Sequence, residues 1–183
     1  MSHEIEVKLK LSVQALIDAG IRLDVETPRH FEENWLLDND ARQLGEQWSI
    51  LRVRDAGGKG FLTFKGKSET TSQFKRREEI ETELDNAQQA LEIFARLGFT
   101  KWFHYQKYRT VYQAILPSGN HLHVMADEMP IGDFLELEGE ELNILEAVRC
   151  LKITPQDYIL DSYLALQLAH CQVQGKALED MIF

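Results

Sequence analysis

The chain has little of what staples or interrupts a fold. Two cysteines in 183 residues, Cys150 and Cys171, are too few and too far from other ligand-type side chains for a disulfide framework or a zinc site, so both read as packing thiols. Four prolines and eleven glycines leave no Pro-, Gly- or Ser-rich linker and no low-complexity tract. No apolar run approaches the roughly 20 residues that span a bilayer. The opening MSHEIEVKLK alternates charges with apolar side chains where a secretory leader needs an apolar stretch. A soluble, cytoplasmic protein with no membrane contact is the expectation. Positive charge is scarce as well: twenty Lys and Arg stand against thirty Asp and Glu, a net charge of −10. That argues against non-specific binding to nucleic acid, where attraction to phosphate dominates. It leaves room for a small anion held by a few bases focused in a cavity.

What is present is ordinary globular composition, 44% hydrophobic and 27% charged. At about 150 residues per domain the length favours one domain over residues 1–183. Ile5, Val7 and Leu9 alternate with Glu4, Glu6, Lys8 and Lys10, the period of a half-buried strand. Further strands are expected at Phe31 to Asp38, Ser49 to Asp55, Gly60 to Lys65, Lys75 to Leu84, Phe103 to Leu116, Leu122 to Asp127 and Asp133 to Glu138. Gly57-Gly58-Lys59-Gly60 and Pro117-Ser118-Gly119-Asn120 read as hairpin turns, which makes the sheet mainly antiparallel. Helices are expected at Val13 to Ala19, capped by Ser12; at Asn86 to Leu97, capped by Asp85; at Glu141 to Lys152; and from Thr154-Pro155 onward, carrying Tyr158, Ile159, Tyr163 and Leu164. The mixture is α+β.

The charges inside the strands carry the functional signal. Residues two apart on a strand share a face at roughly 6.5 to 7 Å. Glu4/Glu6, Glu79/Glu81 and Glu136/Glu138 are acid doublets on that spacing, and Arg52/Arg54 and Lys107/Arg109 are basic ones. Lys8, Lys65 and Arg77 extend such rows in the same parity. One arrangement puts the apolar rows in a core and the charged rows in solvent. Like charges on one sheet face cost stability, however, and here the two signs are segregated strand by strand. The other arrangement closes the sheet with its charged rows inward, around a polar lumen. Arg forks would then hold a polyanion's oxygens, and carboxylate doublets would hold hard divalent cations, which bridge to phosphates.

The ordered motifs resemble the CYTH superfamily, also called triphosphate tunnel metalloenzymes. Glu4-Ile5-Glu6-Val7-Lys8 looks like its E-x-E-x-K strand, Leu51-Arg52-Val53-Arg54 like L-R-x-R, and Leu62-Thr63-Phe64-Lys65-Gly66 like L-T-x-K-G. Arg77-Glu78-Glu79-Ile80-Glu81 is similar to R-x-E-x-E, and Lys107-Tyr108-Arg109 to K-x-R. Asp127 followed by Gly132-Asp133-Phe134-Leu135-Glu136-Leu137-Glu138 resembles the D…L-G-x-F-x-E-x-E block, with Ile131 where Leu is commoner. Ser162-Tyr163-Leu164 sits where the family has its closing S-Y helix, and Lys67 replaces a frequent Pro. The resemblance implies an eight-stranded antiparallel barrel forming a tunnel with helices outside, in one domain. It implies Mg²⁺- or Mn²⁺-dependent work on a small triphosphate, by a monomer or homodimer. Glu4, Glu6, Glu136 and Glu138 would ligate metal, assisted by Glu79, Glu81 and Asp127. Lys8, Arg52, Arg54, Lys65, Arg77, Lys107 and Arg109 would bind phosphates, and Lys65, Glu6 and Glu81 are the candidate catalytic residues.

Phosphoryl transfer asks for charge neutralisation and in-line positioning, with one cation clamping phosphate oxygens and a second activating the attacking oxygen. Glu81 or Glu6 could take the proton. Hydrolysis of tripolyphosphate, thiamine triphosphate or a nucleoside triphosphate is the first reading. A class IV adenylyl cyclase making cyclic AMP and pyrophosphate from ATP is the second, and a non-catalytic polyphosphate- or nucleotide-binding module is the third. A cyclase needs a base pocket, for which Trp35, Trp48 and Trp102 are candidates, although strand aromatics more often pack. Other residues carry less weight. His121 and His123 share a strand face without a third ligand, the Gly57 turn lacks the phosphate-loop pattern, and Lys75 and Arg76 could serve a tunnel mouth or simply be solvated. Ser162 reads as a helix cap or packing residue.

Overall fold

A strand that alternates ions with aliphatic side chains needs apolar cover on one face and partners on the other. In the computed structural model, which describes residues 2–69 and 73–183, the sheet answers both needs by closing on itself. The strands are β1 (Ser2–Leu9), β2 (Arg22–Asp38), β3 (Ile50–Ala56), β4 (Lys59–Lys65), β5 (Lys75–Leu84), β6 (Thr100–Ile115), β7 (His121–Met129) and β8 (Gly132–Glu138). They form a closed barrel in the order β1-β5-β4-β3-β2-β6-β7-β8, every pair antiparallel. The helices are α1 (Val13–Asp18), α2 (Gln43–Glu46), α3 (Ala87–Arg96), α4 (Glu141–Cys150) and α5 (Tyr163–Val173). The fold is therefore α+β, a barrel with helices packed against it. Among the described residues no helix is long and apolar enough to cross a membrane.

The aliphatic rows set which face turns out. Val7, Leu9, Val124, Leu135 and Leu137 pack with Leu16 of α1 and Ile144, Ala147 and Val148 of α4. Val53 and Leu37 pack with Ala87 and Leu91 of α3. Leu36, Phe103, Phe134 and Met129 differ: they have the parity of the lumen residues on their strands, and they meet Tyr163 of α5 and Met181. Each such burial is worth about 1.5–3 kcal/mol, so the helices hold the greasy face outward and the alternate residues have nowhere to point but the lumen.

Both hairpins form where the turn residues place them. Gly57 and Gly58 link β3 to β4 at φ 63° and 91°, a pair of left-handed values that glycine accepts without strain. Several element boundaries differ from the sequence reading. β2 begins at Arg22 rather than Phe31, because register shifts at Val25/Thr27 and Thr27/His30 carry the ladder to β6 past Pro28. Asn86, not Asp85, caps α3: its side chain accepts from the Gln89 N–H at 2.9 Å. The helix expected from Thr154 onward is broken. Pro155–Asp157 forms a single 3₁₀ turn, Ile159 then runs beside β1, and α5 starts only after Ser162. The reason lies in β1, whose ladder to β5 stops at Glu6↔Lys75. Beyond it the Lys8 backbone exchanges two hydrogen bonds with Ile159, at 3.1 and 2.9 Å.

Candidate functional site

The lumen holds a cavity of about 430 Å³, whose lining includes eight basic and six acidic side chains. All thirteen residues singled out by the strand pattern line it; Asp127, added by the resemblance, does not. The register sorts them into two walls. On one, β1 brings Glu4, Glu6 and Lys8 between Lys75, Arg77 and Glu79 of β5 and Glu136 and Glu138 of β8, with Lys65 of β4 beside them. On the other, Arg52 and Arg54 of β3 and Lys107 and Arg109 of β6 flank β2.

Ions on the first wall interlock. Lys65 Nζ lies 2.8 Å from Glu4 and 2.9 Å from Glu79, and Lys8 Nζ lies 3.1 Å from Glu6 and 3.0 Å from Glu136. Burial opposes the charged form of Glu4, but Lys65, a hydrogen bond from the Glu79 carboxyl and Arg77 together hold it far below the usual range. Glu6 and Glu136 are likewise held low against their burial, chiefly by Lys8. Glu138 is the exception. Among the described residues its carboxylate makes no hydrogen bond or ion pair. Burial, then the charges of Glu4, Glu136 and Glu6, push its carboxyl up to about 7, with only Lys65 opposing.

The second wall is built around two buried carboxylates. Asp127 accepts from Lys107 Nζ (3.0 Å), Arg109 Nε (2.6 Å) and the Tyr163 hydroxyl (2.6 Å); Arg109 also donates to Glu136. Glu32 lies 3.5 Å from both Lys107 and Arg54. Arg54 is the mirror image of Glu138: burial, then Arg52 and Arg109, lower its pKa, although it donates to Asn34 (3.0 Å). Arg52 Nε is buried without a hydrogen-bond partner. Glu32 Oε2 is buried without one as well, so what this wall has in excess is positive charge around Arg54.

The donor set fits a hard divalent cation. Glu4, Glu6, Glu136 and Glu138 supply carboxylate oxygens alone, and one of them lacks any cation. Among the described residues, however, no three acids converge on a preformed cation position, because lysines and arginines stand between them. Asp127, expected to assist a metal, sits behind Lys107 and Arg109 with its oxygens occupied by donors. Glu81 accepts from Thr63 (2.7 Å) and Arg52 (3.4 Å) and, although burial opposes it, is held below the usual range.

Sequence reasoning missed Glu32, Tyr105 and Tyr163. Glu32 belongs to no doublet, Tyr105 sits in β6 with no motif around it, and Tyr163 reads as an apolar-face residue of the closing helix. Tyr163 reaches the lumen from α5, whose N-cap Ser162 accepts from the Ala165 N–H at 3.2 Å. Lys75 lies in the lumen at 7% exposure, whereas Arg76 faces Glu69 outside. None of the three tryptophans lines the cavity: Trp35 stacks on His104, Arg42 covers Trp102, and Trp48 is 74% exposed. His123 is exposed beside Glu26 (3.0 Å), in a second cavity of about 600 Å³ that shares Arg54 and Arg109 with the lumen.

Comparison with known proteins agrees with this geometry. The profile of the CYTH domain matches residues 2–149. A Methanocaldococcus jannaschii protein named "Putative adenylate cyclase" is 29% identical over 181 residues, 90% of this chain and 98% of that protein. Among solved structures, a "putative adenylate cyclase" from Vibrio parahaemolyticus superposes with a TM-score of 0.71 at 18% identity, covering 88% of this chain and 95% of its own. A Hippeastrum protein, described as a "putative adenylyl cyclase" that reveals a dominant triphosphatase activity, superposes with a TM-score of 0.61 at 21% identity, covering 97% and 98%.

Proposed function

The chain belongs to the CYTH domain family, and from that premise we propose that its lumen hydrolyses the terminal phosphoanhydride bond of a triphosphate, tripolyphosphate or an organic triphosphate, with Mg²⁺ or Mn²⁺. One observation carries the reading: a wall with a carboxylate that makes no ion pair faces a wall where burial and the crowding of Arg52 and Arg109 lower the pKa of Arg54 even with Glu32 3.5 Å away. A metal–triphosphate pair answers both imbalances.

Arg52, Arg54, Lys107 and Arg109 hold the non-bridging phosphate oxygens from one side, with Lys8, Lys65 and Arg77 closing from the other. Their positions are set before substrate arrives, so little reorganisation accompanies the charge shift toward the transition state. Asp127 fixes the forks of Lys107 and Arg109, and Tyr163 fixes Asp127. Glu4, Glu6, Glu136 and Glu138 would hold the cation. When bound, it neutralises charge on the phosphate oxygens and lowers the pKa of the attacking water. Glu81 and Glu6, the candidate proton acceptors, are weak bases while their present cations hold them low. A loose phosphoryl-transfer transition state asks little of a base.

A second reading, cyclisation of ATP, is favoured by the name of the M. jannaschii relative. Against it stands a lumen lined by ions, with no tryptophan to stack a base. The test is release of phosphate, pyrophosphate and cyclic AMP from tripolyphosphate, thiamine triphosphate and ATP with each metal. Phosphate without cyclic AMP is the expected result. Cyclic AMP with pyrophosphate would replace hydrolysis by cyclisation, and no product from any substrate would leave a binding module.

A further inference from the structure

One lumen cation has no part in this scheme. Lys75 opens β5 directly opposite Glu6, and its Nζ lies 2.8 Å from Glu6 Oε1. That oxygen is crowded: Lys8 Nζ is 3.1 Å away and Arg77 Nη2 3.8 Å. Across the other edge of β1, Glu138 stands opposite the same Glu6 with no cation. Three cations on one carboxylate oxygen beside an unpaired carboxylate is an uneven distribution, and it leaves one cation free to move.

The three are not equally held. Lys8 is anchored a second time by Glu136 at 3.0 Å, and Arg77 by Glu4 at 3.3 Å. Among the described residues, Glu6 is the one carboxylate bonded to Lys75. Its ammonium also rides on a flexible four-carbon stem, unlike a planar guanidinium fork. Glu6 cannot give Oε1 to a divalent cation while three positive groups surround it, since like charges so close repel strongly at a partly buried site. The cheapest relief is for Lys75 to leave.

Taking the lumen as a metal–triphosphate site, we propose that Lys75 is a positioning residue that exchanges partners. It occupies Glu6 as a resident stand-in while no divalent cation is bound. It yields Glu6 when the cation arrives, and its ammonium then turns to the phosphate oxygens of the substrate. No bond is made or broken; one hydrogen-bonded ion pair replaces another. Metal binding then releases a phosphate ligand, so the two ligands bind with positive coupling through a single side chain.

The test reads binding as well as turnover. Lys75→Met should tighten Mn²⁺ binding to the substrate-free protein about tenfold, followed by the free-ion paramagnetic resonance signal. That is the low end of what one unit charge within 4–6 Å does to an ionic equilibrium. The same variant should bind tripolyphosphate about tenfold more weakly at saturating Mn²⁺, with the loss falling on KM more than on kcat. Lys75→Arg, which keeps the charge, should stay near the parent protein on both counts. Unchanged or weaker Mn²⁺ binding in Lys75→Met would overturn the competition with metal, and unchanged tripolyphosphate binding would overturn the transfer to phosphate. Should the Met variant fail to fold, Lys75→Gln reads the same two constants while retaining a hydrogen bond to Glu6. A parent protein that binds Mn²⁺ yet hydrolyses nothing would sink the proposed reaction, and the metal titration would still judge the exchange.

Discussion

The two walls of the lumen hold similar ions and solve opposite problems. On the β3/β6 wall the acids sit among cations: Asp127 takes Lys107, Arg109 and Tyr163, and Glu32 lies 3.5 Å from Lys107 and Arg54, its Oε2 without a hydrogen bond. The surplus is positive charge, seen in the lowered pKa of Arg54 beside Arg52 and Arg109. On the β1/β5/β8 wall the cations are the saturated partners, with Lys8 and Lys65 each bridging two carboxylates, and the surplus is Glu138. Stability alone would pair these leftovers with each other, because isolated buried charges are costly. The barrel keeps them on separate strands. The surplus on each wall marks the sign of what binds there, and the saturated pairs beside it are scaffolding.

Removing scaffolding should therefore cost more fold than removing surplus, and the largest effect is expected at Arg109. Arg109→Ala leaves Asp127 to Lys107 and Tyr163 and Glu136 to Lys8, and breaking such a buried network by one partner costs about 3–5 kcal/mol. Urea unfolding should show that loss together with lost turnover. If stability is unchanged, the pairing is not structural and the comparison fails. Arg54→Ala should behave differently. It removes a cation whose surroundings disfavour it, so the unfolding midpoint should hold or rise while turnover falls about 10²–10³-fold, as when one preorganised donor is lost. Steady-state kinetics beside a melting curve decides this. A large loss of stability with normal kinetics would make Arg54 scaffolding.

The same division explains what could be read in advance. Barrel, lumen and thirteen lining residues were legible because like charges recur two apart between aliphatic residues, a pattern local to each strand. Lys75 was not, although it shares Arg77's parity: it opens its strand, where an inward row could already have ended, and pairing with Glu6 keeps it inside. Glu32, Asn34 and Leu36 share a face with no common chemistry, so β2 showed no doublet. The break after Asp157 depends on Lys8, some 150 residues away, whose backbone needs Ile159 more than Ile159 needs a helix. Local periodicity carries the walls; long-range hydrogen bonds decide what closes their ends.

Glu138 gives an intermediate effect with a sign set by pH. Its folded pKa of about 7 lies above the ordinary 4.5, so between those values the folded state binds more protons than the unfolded. Stability without metal should fall as pH rises through that window, by on the order of 3 kcal/mol once complete. Glu138→Gln removes the penalty. In chelator it should be more stable than the parent at pH 8 and equal to it at pH 4. With metal present the order should reverse in function: the variant should need about tenfold more Mg²⁺, and its requirement should no longer ease as pH climbs past 7. Equal stabilities at pH 8 would mean that Glu138 is not the surplus charge.

The smallest effect sharpens the contrast most, because it comes from the adjacent residue. Asp127 and Glu128 are neighbours on β7 and therefore point to opposite faces. Each meets an arginine Nε at nearly the same distance, 2.6 Å for Arg109–Asp127 and 2.7 Å for Arg29–Glu128. Geometry does not separate the pairs; solvent does. The Arg109 and Asp127 side chains are 10% and 0% exposed, those of Arg29 and Glu128 52% and 46%. In water the outer pair replaces solvation it would otherwise enjoy, so Glu128→Gln should change stability by no more than about 1 kcal/mol and leave turnover untouched. Asp127→Asn, one residue away and equally conservative on paper, removes the charge holding Lys107 and Arg109 and should cost several times as much. Chemical denaturation of the two variants side by side measures the ratio. Equal costs would mean that the lumen does not shield its ions from solvent, and that surplus charge on either wall is no sign of what binds there.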